Sequence, residues 1–114
     1  MTTIYKLCGT AEWAQAERNG EFRGSAVDLA EGYIHFSTAS QVAETAAKHF
    51  AGMSDLVLVA VGAEGLGDAL KWETSRGGAL FPHLYRPLPL AAVRWVQALL
   101  LDDNGRHVLP PLDV

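Results

Sequence analysis

The run Leu56-Val57-Leu58-Val59-Ala60-Val61 constrains the fold of this chain more than any other segment. It is opened by Asp55, closed by Gly62, too short for a stable helix, and offers no polar position to face water. Such a run reads as a central strand buried on both faces, so the rest of the chain has to cover two sides of a sheet. With 114 residues, 49% of them hydrophobic, there is enough material for one domain spanning 1–114 to bury a core without staples.

The flanking segments supply the other elements. Ile4-Tyr5-Lys6-Leu7 alternates and reads as a first short strand. Residues 11–19 are strong helix formers, with Thr10 as the expected N-cap, Gly20 as the stop, and Trp13 and Ala16 as the apolar stripe. Glu21 to Glu31 reads as a loop, and Tyr33 to Ser37 as the second strand. Thr38 stands three residues before Gln41, the spacing of a capping box, and opens a helix with Val42, Ala46 and Phe50 on one face. Beyond the central run, Gly62 to Gly67 is a turn and Leu70 to Thr74 resumes an extended pattern. Pro82 places Leu80 to Tyr85 at a sheet edge or in an extended loop, and Pro87 and Pro89 exclude a continuous helix. Val93 to Leu101 and His107 to Leu109 form a hairpin around Asp102-Asp103-Asn104-Gly105. The expected class is α+β, with a mixed sheet of about six or seven short strands and two helices in the N-terminal half. A Rossmann-like array is not expected, and neither G-x-G-x-x-G nor G-x-x-x-x-G-K is present to cradle phosphates.

Charge narrows the partners. A formal net charge of −4, a pI near 5.4 and only nine scattered Lys and Arg argue against non-specific binding to nucleic acid or anionic lipid. The single Cys8 cannot form an internal disulfide and is expected to be a small buried hydrophobe. The first residues lack the pattern of a secretory leader, and no apolar run approaches the roughly 20 residues that span a bilayer. A soluble cytoplasmic protein is the expectation.

Two segments concentrate the chemistry. In Gly32-Tyr33-Ile34-His35-Phe36-Ser37-Thr38, strand alternation puts Tyr33, His35 and Ser37 on one face. An imidazole there can donate to or accept from a ligand hydroxyl; the other reading is a structural histidine bonded to a backbone carbonyl. Ser37 or Thr38 caps the next helix, whose N-terminal N–H groups would then lie beside His35 and could hold a diphosphate. In the second segment, Glu73 beside Trp72 is a poor strand former that either faces solvent or has a task. Gly77-Gly78 is a turn, or a place where backbone comes close to a ligand. His83 and Tyr85 share a face if extended, where they could stack on and bond a planar ring. No H-x-x-x-H or H-E-x-x-H spacing supports zinc, and no G-x-S-x-G elbow supports a serine nucleophile. His49 and His107 read as surface residues.

At these residues the chain resembles a small bacterial domain family of unknown function. Its members carry G-[FY]-I-H-[LF]-S-T before a helix and W-E…G-G-x-[LF]-F-P-H-[LI]-Y-x-[PA]-L later. The match runs over Gly32 to Thr38 and Trp72 to Leu88, with Ile4-Tyr5-Lys6 at the start. That family is grouped by fold with the ADP-ribosyltransferase superfamily, which includes diphtheria-toxin-like enzymes and tRNA 2′-phosphotransferases. The resemblance implies a split, bent α+β sheet with a cleft for a nicotinamide adenine dinucleotide (NAD). It also implies His35 on the adenosine-side ribose, with Ser37 the hydroxyl residue two positions on, and His83 or Tyr85 as the stacking group. The chain departs from the superfamily pattern at the late-strand glutamate: none follows Glu73, and only Gln97, Asp102 and Asp103 stand there. The phosphotransferase branch uses several basic residues, and this acidic chain has few.

The leading expectation is therefore a cleft with His35, Glu73 and His83 as catalytic candidates and Tyr33, Ser37, Thr38, Gly77, Gly78 and Tyr85 as ligand-binding candidates. It would take NAD or an ADP-ribose-type nucleotide, with transfer or hydrolysis at the nicotinamide ribose and no resident metal. A non-catalytic binding or regulatory module of the same fold is the alternative. A metal-assisted hydrolase using His35, His83 and Glu73 stands third.

Overall fold

Strand β4 (Leu56–Gly62) pairs antiparallel with β1 (Thr3–Gly9) on one side and β8 (Val93–Leu101) on the other, at the heart of a four-stranded sheet ordered β1-β4-β8-β9, where β9 is His107–Val108. The computed structural model describes residues 2–113. Val57, Val59 and Val61 enter one apolar cluster with Ile4, Cys8, Trp13, Phe22, Ile34 and Leu84; Leu56, Leu58 and Ala60 enter another with Tyr5, Leu7, Val42, Ala46 and Leu99. Alternate residues of one strand thus serve two cores, which is why no polar residue interrupts the run.

Helix α1 (Thr10–Asn19) buries Trp13 and Ala16 and ends at Gly20, whose left-handed φ of 82° suits glycine. Its N-cap is Gly9 and not Thr10, because Glu12 reaches back to accept from the Gly9 amide at 2.8 Å. After β2 (Glu21–Phe22) comes α2 (Ala26–Glu31), where the sequence pattern suggested a loop. Six residues give too little periodicity to stand out, but Ser25 and Asp28 have capping-box spacing, and Gly32 closes the helix by donating to the Asp28 carbonyl at 2.8 Å. Helix α3 (Val42–His49) follows β3 (Ile34–His35); Gln41 accepts from the Thr38 amide at 3.0 Å, the back half of the expected capping box.

A second sheet has the order β3-β6-β5, with β5 at Leu70–Thr74 and β6 at Leu80–Leu84. Strand β6 is central here, a correction to the edge position that Pro82 suggested. In an antiparallel strand the N–H and C=O of one residue point to the same side. Pro82 accepts from the Phe36 amide at 3.0 Å, so its missing donor faces β3, and the β5 ladder is left whole. With nothing to return to Phe36, the β3–β6 ladder stops after Ile34↔Leu84 and His35↔His83. The chain then crosses to β1 through a single bridge, Tyr5↔Ser37, made by two backbone bonds of 2.8 and 2.9 Å.

The remaining pair is β2 with β7 (Leu88–Pro89). Among the described residues there are nine strands, four of them only two residues long, and three α-helices. All the pairings are antiparallel, so the expected mixed sheet is corrected to an antiparallel one, curled and α+β in class. No helix among the described residues is long and apolar enough to cross a membrane. Cys8 is buried, and burial pushes its thiol up to about 12, the state of an inert core residue.

Candidate functional site

The register of β3 against β6 sets His35 directly opposite His83, and strand alternation puts Tyr33, Tyr85 and Glu73 on the same face of that sheet. The opposite face carries Ile34 and Leu84, both in the core. Tyr33 stacks on His83 with ring centroids 4.2 Å apart, and lies 4.6 Å from His35 and 5.1 Å from Tyr85. The two imidazoles meet edge to face at 5.4 Å. Four rings from two short segments thus make one wall beside the place where the two sheets part.

Carboxylates fix the polarity of that wall. Asp28, buried on α2, accepts from His35 Nδ1 at 2.7 Å, Lys6 Nζ at 2.7 Å, the Ser25 amide at 2.9 Å and the His35 amide at 3.2 Å. Glu31, one turn of helix later, accepts from His35 Nε2 at 2.6 Å. Both ring nitrogens face carboxylate oxygens, an arrangement that favours the protonated ring over the neutral one. The Asp28 hydrogen bond is the main cause of a raised His35 pKa; partial burial opposes it and Glu31 adds to it. For Asp28, burial acts to raise the pKa, but the His35 bond and the charge and hydrogen bond of Lys6 prevail and hold it well below the usual carboxylate range.

Glu73 organises the other end. Its Oε1 accepts from the Tyr85 hydroxyl at 2.6 Å and from His83 Nδ1 at 2.9 Å. Tyr85, followed by His83, lowers the Glu73 pKa, and the same bond pushes the Tyr85 phenol up to about 12. Tyr33 is also raised, by burial first and then by Glu31 and Glu73. The arrangement offers a ring surface, an imidazole held between two carboxylates, and the Glu73 carboxylate within one wall.

Tyr33, His35, Glu73, His83 and Tyr85 are therefore brought together. Ser37 and Thr38 are not: the Ser37 hydroxyl bonds that of Thr45 on α3 at 3.0 Å, and the Thr38 hydroxyl bonds Ser40 at 3.1 Å. At the N-terminus of α3, where a diphosphate was expected, Gln41 accepts from the Thr38 amide, and the His35 ring nitrogens turn to α2 instead. Gly77 and Gly78 form the tip of the β5–β6 hairpin with φ of 66° and 79°, and a Cβ on either would meet nothing within 4 Å. They serve the turn. Among the described residues no group of three or more His, Cys, Asp or Glu is placed to hold a metal ion, so the metal-assisted reading lacks a ligand set.

Sequence reasoning missed Lys6, Asp28 and Glu31. The signals were a lysine on a buried strand face, level with Ile4 and Cys8, and the Ser25 and Asp28 capping spacing that reveals α2. Glu31 ends α2 and His35 stands four residues on in β3, so no single regular element pairs them.

The comparisons with known proteins agree on kinship. The family model described as Protein of unknown function (DUF952) matches residues 7–96. The crystal structure of protein CC0527 from Caulobacter crescentus is similar at a TM-score of 0.91 and 56% identity, covering 94% of each chain. Its solution NMR structure gives a TM-score of 0.83 at 57% identity, over 93% of this chain and 91% of that one. A search of curated proteins found no match. On the family match and this likeness over nearly its whole length, the chain belongs to the family of unknown function DUF952.

Proposed function

We propose that this domain has an ADP-ribosyltransferase-like fold and that the wall of Tyr33, His35, His83, Tyr85 and Glu73 binds NAD or another ADP-ribose-type nucleotide. The observation that carries the reading is Tyr33 stacked on His83 at 4.2 Å, with His35 and Glu73 flanking the stack. Rings that already pack on one another offer an outer face to a further planar ring, and nicotinamide and adenine are planar. His83 is covered by Tyr33, so the stacking surface falls to Tyr33 and Tyr85, with His83 as the support beneath. His35 Nε2 is the nitrogen available to a ribose hydroxyl, reached when the half-exposed Glu31 side chain is displaced.

In the catalytic form of this reading, nicotinamide leaves with the electron pair of its bond to the ribose. Glu73 stabilises the positive charge that develops on the sugar, and a water or another nucleophile forms the new bond to the ribose C1′, giving up its proton to solvent. Two hydrogen bonds from Tyr85 and His83 keep Glu73 ionised for that purpose. The second reading, a binding module of the same fold, is favoured by the absence of any glutamate after Glu73.

Titration of NAD and ADP-ribose while following backbone amides tests the site: shifts at Gly32 to His35 and His83 to Tyr85 support it. No shift there at millimolar ligand overturns it. Release of free nicotinamide from NAD by the wild type, lost in His35→Ala, supports the enzyme; binding without release supports the module.

A further inference from the structure

The ring wall has a second side. Tyr33 and Tyr85 also line a cavity of about 220 Å³ between the end of α2 and the β6–β7 turn, together with Arg23, Leu84 and Arg86. We propose that this notch is an anion subsite in which Arg23 and Arg86 hold the diphosphate of a ligand whose ring lies against Tyr33 and Tyr85. The proposal rests on the nucleotide reading above and adds to it the place and the residues for the phosphates.

The fold brings the two guanidinium groups to one rim. Strand β2 pairs with β7 as Glu21↔Pro89 and Phe22↔Leu88. One step further along the same register sets Arg23 level with Pro87, one residue from Arg86. Arg23 donates from Nε to Glu21 at 2.9 Å, a bond that does not use its terminal nitrogens, and its side chain is 70% exposed. Arg86 is exposed and makes no ion pair among the described residues. A planar fork of donors suits phosphate oxygens, and two forks at one rim suit two linked phosphates. In a chain with net charge −4, this pairing is not the product of a generally basic surface.

Asp28 also lines the notch. Its carboxylate is taken by Lys6, His35 and the Ser25 amide, so it presents no bare negative charge to an incoming phosphate. The size fits a part of a ligand and not the whole of one: pockets that engulf a drug-sized molecule start at about 300 Å³. A dinucleotide would lie across Tyr33 and Tyr85, with its phosphates in the notch and a ring on the wall.

The test is titration of inorganic pyrophosphate, ADP-ribose and adenosine into wild type, Arg23→Gln, Arg86→Gln and the double variant, with Arg106→Gln as a control on another face. Both notch residues are exposed, so the variants keep the fold, as the amide spectrum will report. The proposal expects pyrophosphate to move the amides of Gly32 to Ile34 and Leu84 to Arg86. Each single variant should weaken ADP-ribose by about tenfold, the double by more, while adenosine is unaffected. Unchanged ADP-ribose affinity in the double variant overturns the subsite and leaves the nucleotide reading standing. Arginine-dependent binding of pyrophosphate with no binding of ADP-ribose overturns the nucleotide reading and retains the anion notch. Pyrophosphate shifts that vanish in Arg106→Gln but persist in the double variant overturn the notch.

Discussion

Asp28 receives hydrogen bonds from Lys6, from the His35 ring and from two backbone amides, so it sets the charge state of His35 from a buried position. Asp28→Asn keeps the shape and removes the charge, leaving Lys6 buried without a counter-ion. That should cost about 3 kcal/mol in urea unfolding and lower the His35 pKa, followed by the ring proton in NMR. Glu31→Gln should lower the His35 pKa by less, since the Asp28 bond is the larger cause. The pH dependence of stability follows from the two directions. His35 is raised in the folded state, so its contribution is full below its ordinary 6.5 and is lost as pH rises through the folded value. Asp28 is lowered, so its contribution is present above its ordinary 3.8 and is lost as pH falls through the folded value. Melting temperature should therefore decline on the alkaline side in the wild type, and a His35→Asn variant should lack that slope.

At the scale of elements, α2 is what delivers Asp28 and Glu31 to His35, and the glycines at its two ends do different jobs. Gly24 has φ of 119°, and a Cβ there would stand 2.8 Å from the Asp28 Cβ. Gly32 has φ of 91° and open space around it. Gly32→Ala should cost about 1 kcal/mol from backbone strain alone and leave His35 undisturbed. Gly24→Ala should cost more and also shift the His35 titration, because Asp28 has to move. Chemical denaturation with His35 NMR on both variants separates strain from displacement. The contrast also marks what the sequence could disclose. The double-faced run of β4, the stripe and Gly20 stop of α1, and the Asn104-Gly105 hairpin are local patterns with strong physics behind them, and each was legible. Helix α2 was not, because a six-residue helix held by caps has hardly any period. The Tyr33, His35, His83 and Tyr85 face was legible from alternation, whereas Lys6 comes to Asp28 only through tertiary packing. Ser37 and Thr38 have the residue types for a ligand but are drawn to α3.

For the molecule as a whole, the division into two sheets decides where the ring wall can move. Strand β4 is hydrogen-bonded on both sides and buried on both faces, while the sheet that carries the two histidines touches β1 through the Tyr5↔Ser37 bridge. Hydrogen exchange should be slowest at Val57 to Val61 and faster at His35 and Ser37, with ligand slowing the latter set selectively. Pro82 is the residue that keeps the joint short, since it takes a bond from Phe36 and returns none. Replacing it with alanine would restore a donor facing Phe36 and extend the β3–β6 ladder, a gain offset by about 0.4–1 kcal/mol of added unfolded-chain entropy. The variant should melt near the wild-type temperature yet exchange more slowly at Phe36 and Ser37. Seen this way, the proline is an expansion joint: it trades a rung of the sheet for slack beside the histidines, and a protein engineered only for rigidity would be the first to lose it.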